Sequence, residues 1–167
     1  MKYIYFAPWY CYNLTETEIL REKRICGALA LLSTVLFFAV SLTPSHLNYS
    51  IYVELPATLS LAALVFEILG VVQFCASKRR MTQMTYRDIE FKMKLSPVFH
   101  GLLLLITGIC CLLHMLTVSY VGGDEVIVLG YFLSAALSLS ITLRFRKIKF
   151  KTEHNKAIDQ IKKQIDG

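Results

Sequence analysis

An acidic residue inside a long apolar stretch is the strongest chemical feature of this chain of 167 residues. Glu67 lies well within the apolar segment 51–76, where a carboxyl group is unfavourable unless it is paired, hydrated or protonated. Ser60, Ala63 and Gly70 recur around it at spacings of three or four residues. This small, polar stripe is therefore expected to face other helices and not lipid.

Hydroxyl groups at a similar depth in the other apolar segments are expected to form a polar layer around Glu67. Glu67 lies about nine residues from the basic end of its segment, and a similar rise along the other segments reaches several hydroxyl residues. Together with His114, these residues form the candidate intramembrane polar site: Ser33, Thr34, Thr107, Ser134 and Ser138.

Two hypotheses account for Glu67. In the first, it is a protonatable or cation-binding carboxylate in a small transporter or channel subunit. In the second, it is a neutral glutamic acid that hydrogen-bonds to Ser or Thr hydroxyls and fixes the register of the helices. The second is slightly favoured, because a transport pathway needs more polar lining than this layer offers.

Two histidines share a face of the third apolar segment. His100 and His114 are fourteen residues apart, nearly four helical turns, so each could bind a haem at a different depth. Each haem would need a second axial ligand from another segment, and the other histidines, His46 and His154, lie in a connection and in the tail. We therefore predict no cofactor and interpret His100 as an interface residue and His114 as a packed neutral imidazole.

Motifs for catalysis and for metal binding are absent from the sequence. The five cysteines include no C-x-x-C pair, and no Cys and His cluster has the spacing of a zinc site. There is no phosphate-binding glycine loop, no H-E-x-x-H, no G-x-S-x-G and no pair of intramembrane acids. The sequence predicts no catalytic residue, no metal site and no enzyme.

The residues above belong to four segments that are apolar enough to span a membrane. The chain is 55% hydrophobic and 18% charged, its mean hydropathy is +0.51, and a bilayer core of about 30 Å needs roughly 20 helical residues. Ser96 and Asp124 are placed to cap the third and fourth helices. The predicted spans, which form a transmembrane domain over 25–143, are about 25–42, 51–76, 97–118 and 125–143.

The basic residues predict the direction of threading. Four lie in 1–24, six in 77–95 and eight in 144–167, whereas the connections 43–50 and 119–124 have none. The positive-inside rule therefore places both termini and the basic loop 77–96 in the cytoplasm, at the plasma or inner cell membrane. The net charge of +6 is then a rim that attracts anionic lipid headgroups, and no nucleic acid is implied as a partner.

The two terminal segments carry further patterns. Trp9, Tyr10 and Tyr12 end an aromatic run that begins at Tyr3 and is typical of a segment lying on the membrane surface. The tail 144–167 is interpreted as a basic extension of the fourth helix, which could lie on the membrane or bind a partner helix. Its apolar stripe consists of Ile158, Ile161 and Ile165.

A weak internal repeat relates the two halves of the chain. Thr15 and Glu18 match Thr85 and Asp88, and a Thr followed by an acid three residues later resembles a capping box. Each half is therefore expected to begin with a short amphipathic cytoplasmic helix. A true duplication would give two helical hairpins related by an axis along the membrane normal.

Small residues form two stripes that favour close helix packing. Gly130, Ser134 and Ser138 form such a stripe in the fourth span, and Gly27 and Ala30 belong to one in the first. Packing inside one bundle is favoured over dimerisation between copies.

These observations predict an all-α integral membrane bundle of four transmembrane helices with both termini inside. The favoured function is a non-enzymatic membrane interaction or accessory module. Its partners would be the lipid bilayer, a membrane protein or a second copy. The alternative is a small ion or solute transporter or channel subunit that uses Glu67.

Overall fold

Four long helices dominate the structure, a computed structural model that describes residues 8–118 and 120–153. All four are long and apolar enough to cross a membrane, so the prediction of four helices of membrane-spanning length is confirmed and supports a membrane-embedded protein. The chain also forms three short strands, which an entirely helical interpretation did not anticipate. In chain order the elements are β1 (Trp9–Tyr12), α1 (Glu16–Ser41), α2 (Ile51–Ala76), β2 (Arg80–Met81), α3 (Gln83–Thr117), α4 (Asp124–Lys147) and β3 (Phe150–Glu153).

The helices form an up-and-down bundle in which α2 packs on α3, α3 on α4, and α4 on α1. The seam between α1 and α2 is the least closely packed of the four. Large apolar side chains cover the outside of every helix, as lipid contact requires. Examples are Leu31, Leu61, Val72, Leu102 and Leu129.

The interior is divided into two apolar clusters along the bundle. One cluster includes Phe74, Met93 and Phe145, and the other includes Leu104 and Tyr131. Buried polar residues of all four helices lie between the two clusters. They are Ser33, Glu67, His100, Ser134 and Ser138.

The three strands form an antiparallel sheet in the order β2–β1–β3 at one end of the bundle, here called the sheet end. The opposite end, here called the loop end, contains the connections 42–50 and 118–123. Trp9, Tyr10 and Tyr12 form the central strand β1, and the expectation that this segment lies on a membrane surface stays a prediction. Tyr3 and the residues up to 7 lie outside the described part of the chain.

Tyr12 fixes the sheet against the end of α2. Its hydroxyl lies 2.5 Å from Ser77 Oγ, and its ring packs edge-on against Phe74. Burial raises the pKa of the Tyr12 hydroxyl to about 12, so the group is protonated at neutral pH. The sheet end is therefore attached to the bundle by a neutral hydrogen bond and aromatic packing.

The predicted capping box at the first helix is present, whereas the second one is not. Thr15 Oγ1 accepts from the backbone N–H of Glu18, and Glu18 Oε2 accepts from the N–H of Thr15 at 2.9 Å. In α3 the cap is Thr82, whose side chain accepts from the N–H of Thr85 at 3.3 Å. Asp88 lies inside the helix. Both helices continue without a break into the apolar segments, so the expected short helices are the first turns of α1 and α3.

Pro97 lies inside α3, so the predicted cap at Ser96 is wrong. A proline has no N–H and leaves the carbonyl group four residues earlier without its helical donor. Here Thr142 Oγ1 donates to the Met93 carbonyl oxygen at 3.1 Å, and Ser138 Oγ donates to the Pro97 carbonyl oxygen at 2.9 Å. The Thr142 hydroxyl group of α4 therefore replaces the missing backbone bond, and Ser138 adds a second contact to the backbone of α3 at the proline.

The fourth helix also differs from the prediction at its start. Gly123, with φ of 103°, occupies the cap position, and Asp124 is the first helical residue. Asp124 Oδ2 accepts from the N–H of Val121 at 2.9 Å, and its Oδ1 accepts from Ser45 Oγ at 3.2 Å. Asp124 therefore does not cap the helix but holds the two connections of the loop end together.

The helix α4 ends at Lys147, earlier than the predicted tail extension. Ile148 adopts an extended conformation, and β3 follows at Phe150–Glu153. Pairing with β1 accounts for this change, because it gives the backbone of residues 150–153 hydrogen-bond partners outside a helix. The isoleucine stripe at Ile158, Ile161 and Ile165 lies outside the described residues.

The small residues of the fourth span lie inside the bundle. A Cβ added at Gly130 would be 2.2 Å from Cγ1 of Val40 in α1. Ser134 contacts Ser33 of the same helix α1, and Ser138 contacts α3. This stripe therefore lies against neighbouring helices of the same chain.

Candidate functional site

The carboxyl group of Glu67 lies in the layer between the two apolar clusters, and its residue is 0% exposed. Its Oε2 atom lies 2.7 Å from Nδ1 of His100 in α3. The hydroxyl of Ser138 in α4 donates to the same oxygen. We call these three residues the Glu67 cluster. One carboxyl oxygen thus connects three helices.

Ser138 has a second acceptor within reach. Its single hydroxyl proton is shared between Oε2 of Glu67 and the carbonyl oxygen of Pro97, which lies 2.9 Å away. Pro97 is three residues before His100 and therefore on the same face of α3. Ser138 therefore contacts α3 directly at Pro97, and it contacts α2 at the same Glu67 oxygen that pairs with His100.

His100 is not an interface residue, contrary to the sequence interpretation. It is 0% exposed, and its ring lies edge-on to Phe37, with centroids 6.0 Å apart. The physical reason is that α3 begins at Gln83, so the helix has already passed several turns when it reaches position 100. The residues of α3 that lie beside the end of α2 come earlier in the sequence than His100. Lys92, for example, donates to Gln73 of α2 at 3.0 Å.

The pair formed by Glu67 and His100 can carry no net charge while retaining its hydrogen bond. With both protons on the imidazole ring it is an imidazolium–carboxylate pair, and with one of them moved to the carboxyl group both members are neutral. Both arrangements contain the same number of protons and sum to zero charge, which an apolar interior tolerates far better than an isolated charge.

Two atoms of the pair face away from the shared hydrogen bond. Glu67 Oε1 and His100 Nε2 are buried and have no hydrogen-bond partner among the described residues. The hydrogen bonds of the pair are therefore made only by Glu67 Oε2 and His100 Nδ1. Because all three side chains of the Glu67 cluster are 0% exposed, the arrangement can hold a proton but presents no surface to a substrate.

Two other predicted residues form a separate polar contact in the same layer. Ser33 Oγ and Ser134 Oγ are 3.0 Å apart. Ser134 Oγ donates to the Ser33 carbonyl oxygen at 2.9 Å, and Ser33 Oγ lies 3.1 Å from the Ser134 carbonyl oxygen. This reciprocal pair joins α1 to α4 one helical turn from Ser138. The predicted layer thus contains two contacts, one at Glu67 and one at Ser33.

The remaining predicted residues do not reach Glu67. Thr34 donates to the carbonyl oxygen of Ala30 at 2.7 Å, and Thr107 donates to that of Leu103 at 2.8 Å. Each of these bonds stays within its own helix, α1 for Thr34 and α3 for Thr107. A threonine in an apolar helix can always satisfy its hydroxyl group in this way, so depth alone does not place it in a shared site.

His114 belongs to the loop end instead. Its ring centroid is 5.8 Å from that of His46, and His46 Nε2 lies 3.7 Å from Asp124 Oδ2. Within residues 8–118 and 120–153, no group of three His, Cys, Asp or Glu residues is placed to hold a metal ion.

His100 is the site residue that the sequence analysis missed. A usable signal was present, because a carboxyl group buried in a membrane needs a basic or hydroxyl partner. His100 and His114 are the two basic residues in the apolar parts of the other spans. His114 was included in the predicted polar layer, and considering His100 in the same way, rather than as an interface residue, would have identified the pair.

The sheet end contains a surface of mostly basic character. Several of its basic residues are paired, because Arg79 contacts Glu16 at 3.3 Å, Arg80 contacts Glu153 at 3.0 Å and Arg144 contacts Glu22 at 3.2 Å. Arg24 and Lys78 are exposed and have no acidic partner in the part of the chain that the structure describes.

Comparison of the chain with family models, with curated proteins and with solved structures gives no match.

The geometry predicts that Ser138 stabilises the bundle more than a neighbouring serine. We expect Ser138→Ala to lower the free energy of unfolding by about 1–3 kcal/mol, because Glu67 and the Pro97 carbonyl lose their donor. Ser140→Ala is the matched control, since Ser140 donates within its own helix to Ala136. Unfolding of the purified protein in detergent measures both effects. Equal stability of the two variants would contradict the role of Ser138.

Proposed function

We propose that this chain is a non-enzymatic integral membrane module that acts through contacts of its surface with lipids and other membrane proteins. The observation that carries the proposal is the complete burial of the Glu67 cluster, whose three side chains are each 0% exposed. A transported solute or a substrate must reach the groups that bind it, and these groups have no exposed surface. The basic sheet end supports the same proposal by offering charge to anionic headgroups.

In this proposal the Glu67 cluster has a structural role. Glu67, His100 and Ser138 belong to three helices, so their contacts fix the register of α2, α3 and α4 relative to one another. Polar contacts in apolar surroundings specify register because any shift leaves a buried polar group without a partner.

The second candidate is a small proton-coupled transporter or channel subunit. The pairing of an acid with an imidazole favours it, because these two groups can exchange a proton across the 2.7 Å contact. Such a transporter would need a second conformation in which water reaches Glu67.

Flux through reconstituted vesicles separates the two candidates. For the module, we expect proton, sodium and potassium fluxes equal to those of protein-free vesicles, both for the original chain and for Glu67→Gln. The glutamine keeps the shape and the hydrogen-bonding capacity of the side chain but cannot ionise.

A proton or cation flux that Glu67→Gln abolishes, while the variant remains folded, would overturn the module in favour of the transporter. A flux that the variant leaves unchanged would contradict both assignments, since neither then accounts for the transport. Circular dichroism and gel filtration in detergent establish folding of the variant.

The proposed threading places the sheet end, with both termini, in the cytoplasm at the plasma or inner membrane. Labelling of single cysteines in a background without the five native ones tests it. We expect His46→Cys and Gly122→Cys to react with an impermeant maleimide added outside intact cells, and Arg80→Cys to react only after the membrane is opened. Reaction of Arg80→Cys from outside would reverse the topology.

A further inference from the structure

The open seam between α1 and α2 contains an apolar groove of about 510 Å³ in the half of the bundle nearer the sheet end. Gly27, Ala30 and Thr34 line one side of the groove. Val72 and Cys75 line the other side. The groove is open laterally, where the outside of both helices is apolar, so its natural environment is the interior of the bilayer.

Gly27 does not serve close packing inside the bundle. A Cβ added at Gly27 would meet only Cys75 Sγ, at 3.9 Å, whereas one added at Gly101 would be 2.7 Å from Leu139. Gly27 therefore widens the groove and does not bring two helices together. Gly27 thus differs from the stripe in α4, whereas Ala30 is buried in the apolar cluster nearer the sheet end.

The lining of the groove is apolar in chemistry as well as in composition. Thr34 is its hydroxyl-bearing side chain, and that hydroxyl donates to the Ala30 carbonyl oxygen at 2.7 Å. At the sheet end of the groove, Lys23 donates to the carbonyl oxygens of Cys75 and Ser77 at 3.2 and 2.5 Å. The last carbonyl groups of α2 are therefore satisfied, and an occupant of the groove needs hydrocarbon and no hydrogen bond.

Besides Lys23, which donates to carbonyl oxygens of α2 and the segment after it, two basic residues without acidic partners lie at the sheet end of the helices that form this groove. Arg24 lies one turn before Gly27 on the same face of α1, and Lys78 follows two residues after the end of α2. Both are exposed. The nearby Arg79 and Arg80, in contrast, are paired with acids. The sheet end of the groove therefore has an uncompensated positive charge beside its apolar lining.

We propose that the groove binds one acyl chain of an anionic phospholipid whose phosphate lies between Arg24 and Lys78. The distance along α1 from Gly27 to Thr34 is about 10 Å, enough for the upper half of an acyl chain. The basic residues lie at the sheet end and the apolar lining lies deeper along the helices, which matches the order of headgroup and acyl chain in a phospholipid. This inference rests on the proposed function in that it names a lipid class for the surface of the module.

The same charges disfavour a second copy as the occupant. Two copies threaded in the same direction and related by a two-fold axis along the membrane normal would place equal depths side by side. Arg24 and Lys78 of one copy would then face those of the other, and like charges would repel. The phosphate of an anionic lipid would instead attract these positive charges.

Native mass spectrometry of the purified full chain tests the proposal with phosphatidylglycerol and phosphatidylcholine of identical acyl chains. We expect one phosphatidylglycerol molecule retained per chain, with a preference of roughly ten- to thirtyfold over phosphatidylcholine from two headgroup contacts. The double variant R24Q/K78Q should lose this preference. R21Q/K149Q, which removes the same charge at the same end away from the groove, should keep it.

Filling the groove tests the acyl-chain part of the proposal. We expect Gly27→Leu to abolish retention of both lipids, because the leucine occupies the space between Ala30 and Cys75. If this variant does not fold, R24Q/K78Q and its control still decide the result. Equal loss of preference in R21Q/K149Q would overturn the proposal in favour of general surface attraction. A lipid-free dimer that Gly27→Leu dissociates would overturn it in favour of a second helix.

The result is distinguishable from a failure of the proposed function. No specific lipid retention, together with background flux in vesicles, would refute the groove and leave the module intact. Flux abolished by Glu67→Gln would refute the module whatever the lipid result.

Discussion

The carboxyl group of Glu67 must be satisfied by protein groups, because it is fully buried among helices whose outer surfaces are apolar. Its partners come from two other helices, His100 at 2.7 Å and the hydroxyl of Ser138. Meeting this requirement aligns α2, α3 and α4 at one depth. The two apolar clusters lie on either side of that layer, so the position of one polar contact determines how the hydrophobic residues of the bundle are distributed.

The hydroxyl groups of α4 connect this contact to the backbone of α3. Pro97 leaves the Met93 carbonyl group without a helical donor, and Thr142 supplies one, while Ser138 reaches both Pro97 and Glu67. The helix α1 is attached to the same α4 by the serine pair at Ser33. Polar contacts therefore centre on α4, whereas α1 and α2 pack least closely and are hydrogen-bonded at the sheet end through Lys23 and Cys75. This asymmetry leaves the seam that we propose as a lipid groove.

The sequence was sufficient for the helices and for part of the polar layer. Hydropathy identified all four spans, and depth counting brought Ser138 and Glu67 together, because the rise of a helix is fixed. Depth counting failed for Thr107, whose hydroxyl bonds within its own helix. It also failed for His100, because Pro97 was interpreted as a helix start and the donors that allow a proline inside α3 come from α4, far away in sequence. The sheet was missed because β1, β2 and β3 are short and come from three distant parts of the chain.

The coupling between Glu67 and His100 is the most direct test of this account. In a double-mutant cycle, unfolding in detergent is measured for the original chain, for Glu67→Met, for His100→Leu and for the variant with both changes. We expect each single change to destabilise the bundle by about 3–5 kcal/mol, because it leaves a buried polar partner unpaired, and the double change to recover at least about 2 kcal/mol of the summed loss. Additive effects of the two single changes would contradict the claim that this pair holds the bundle together.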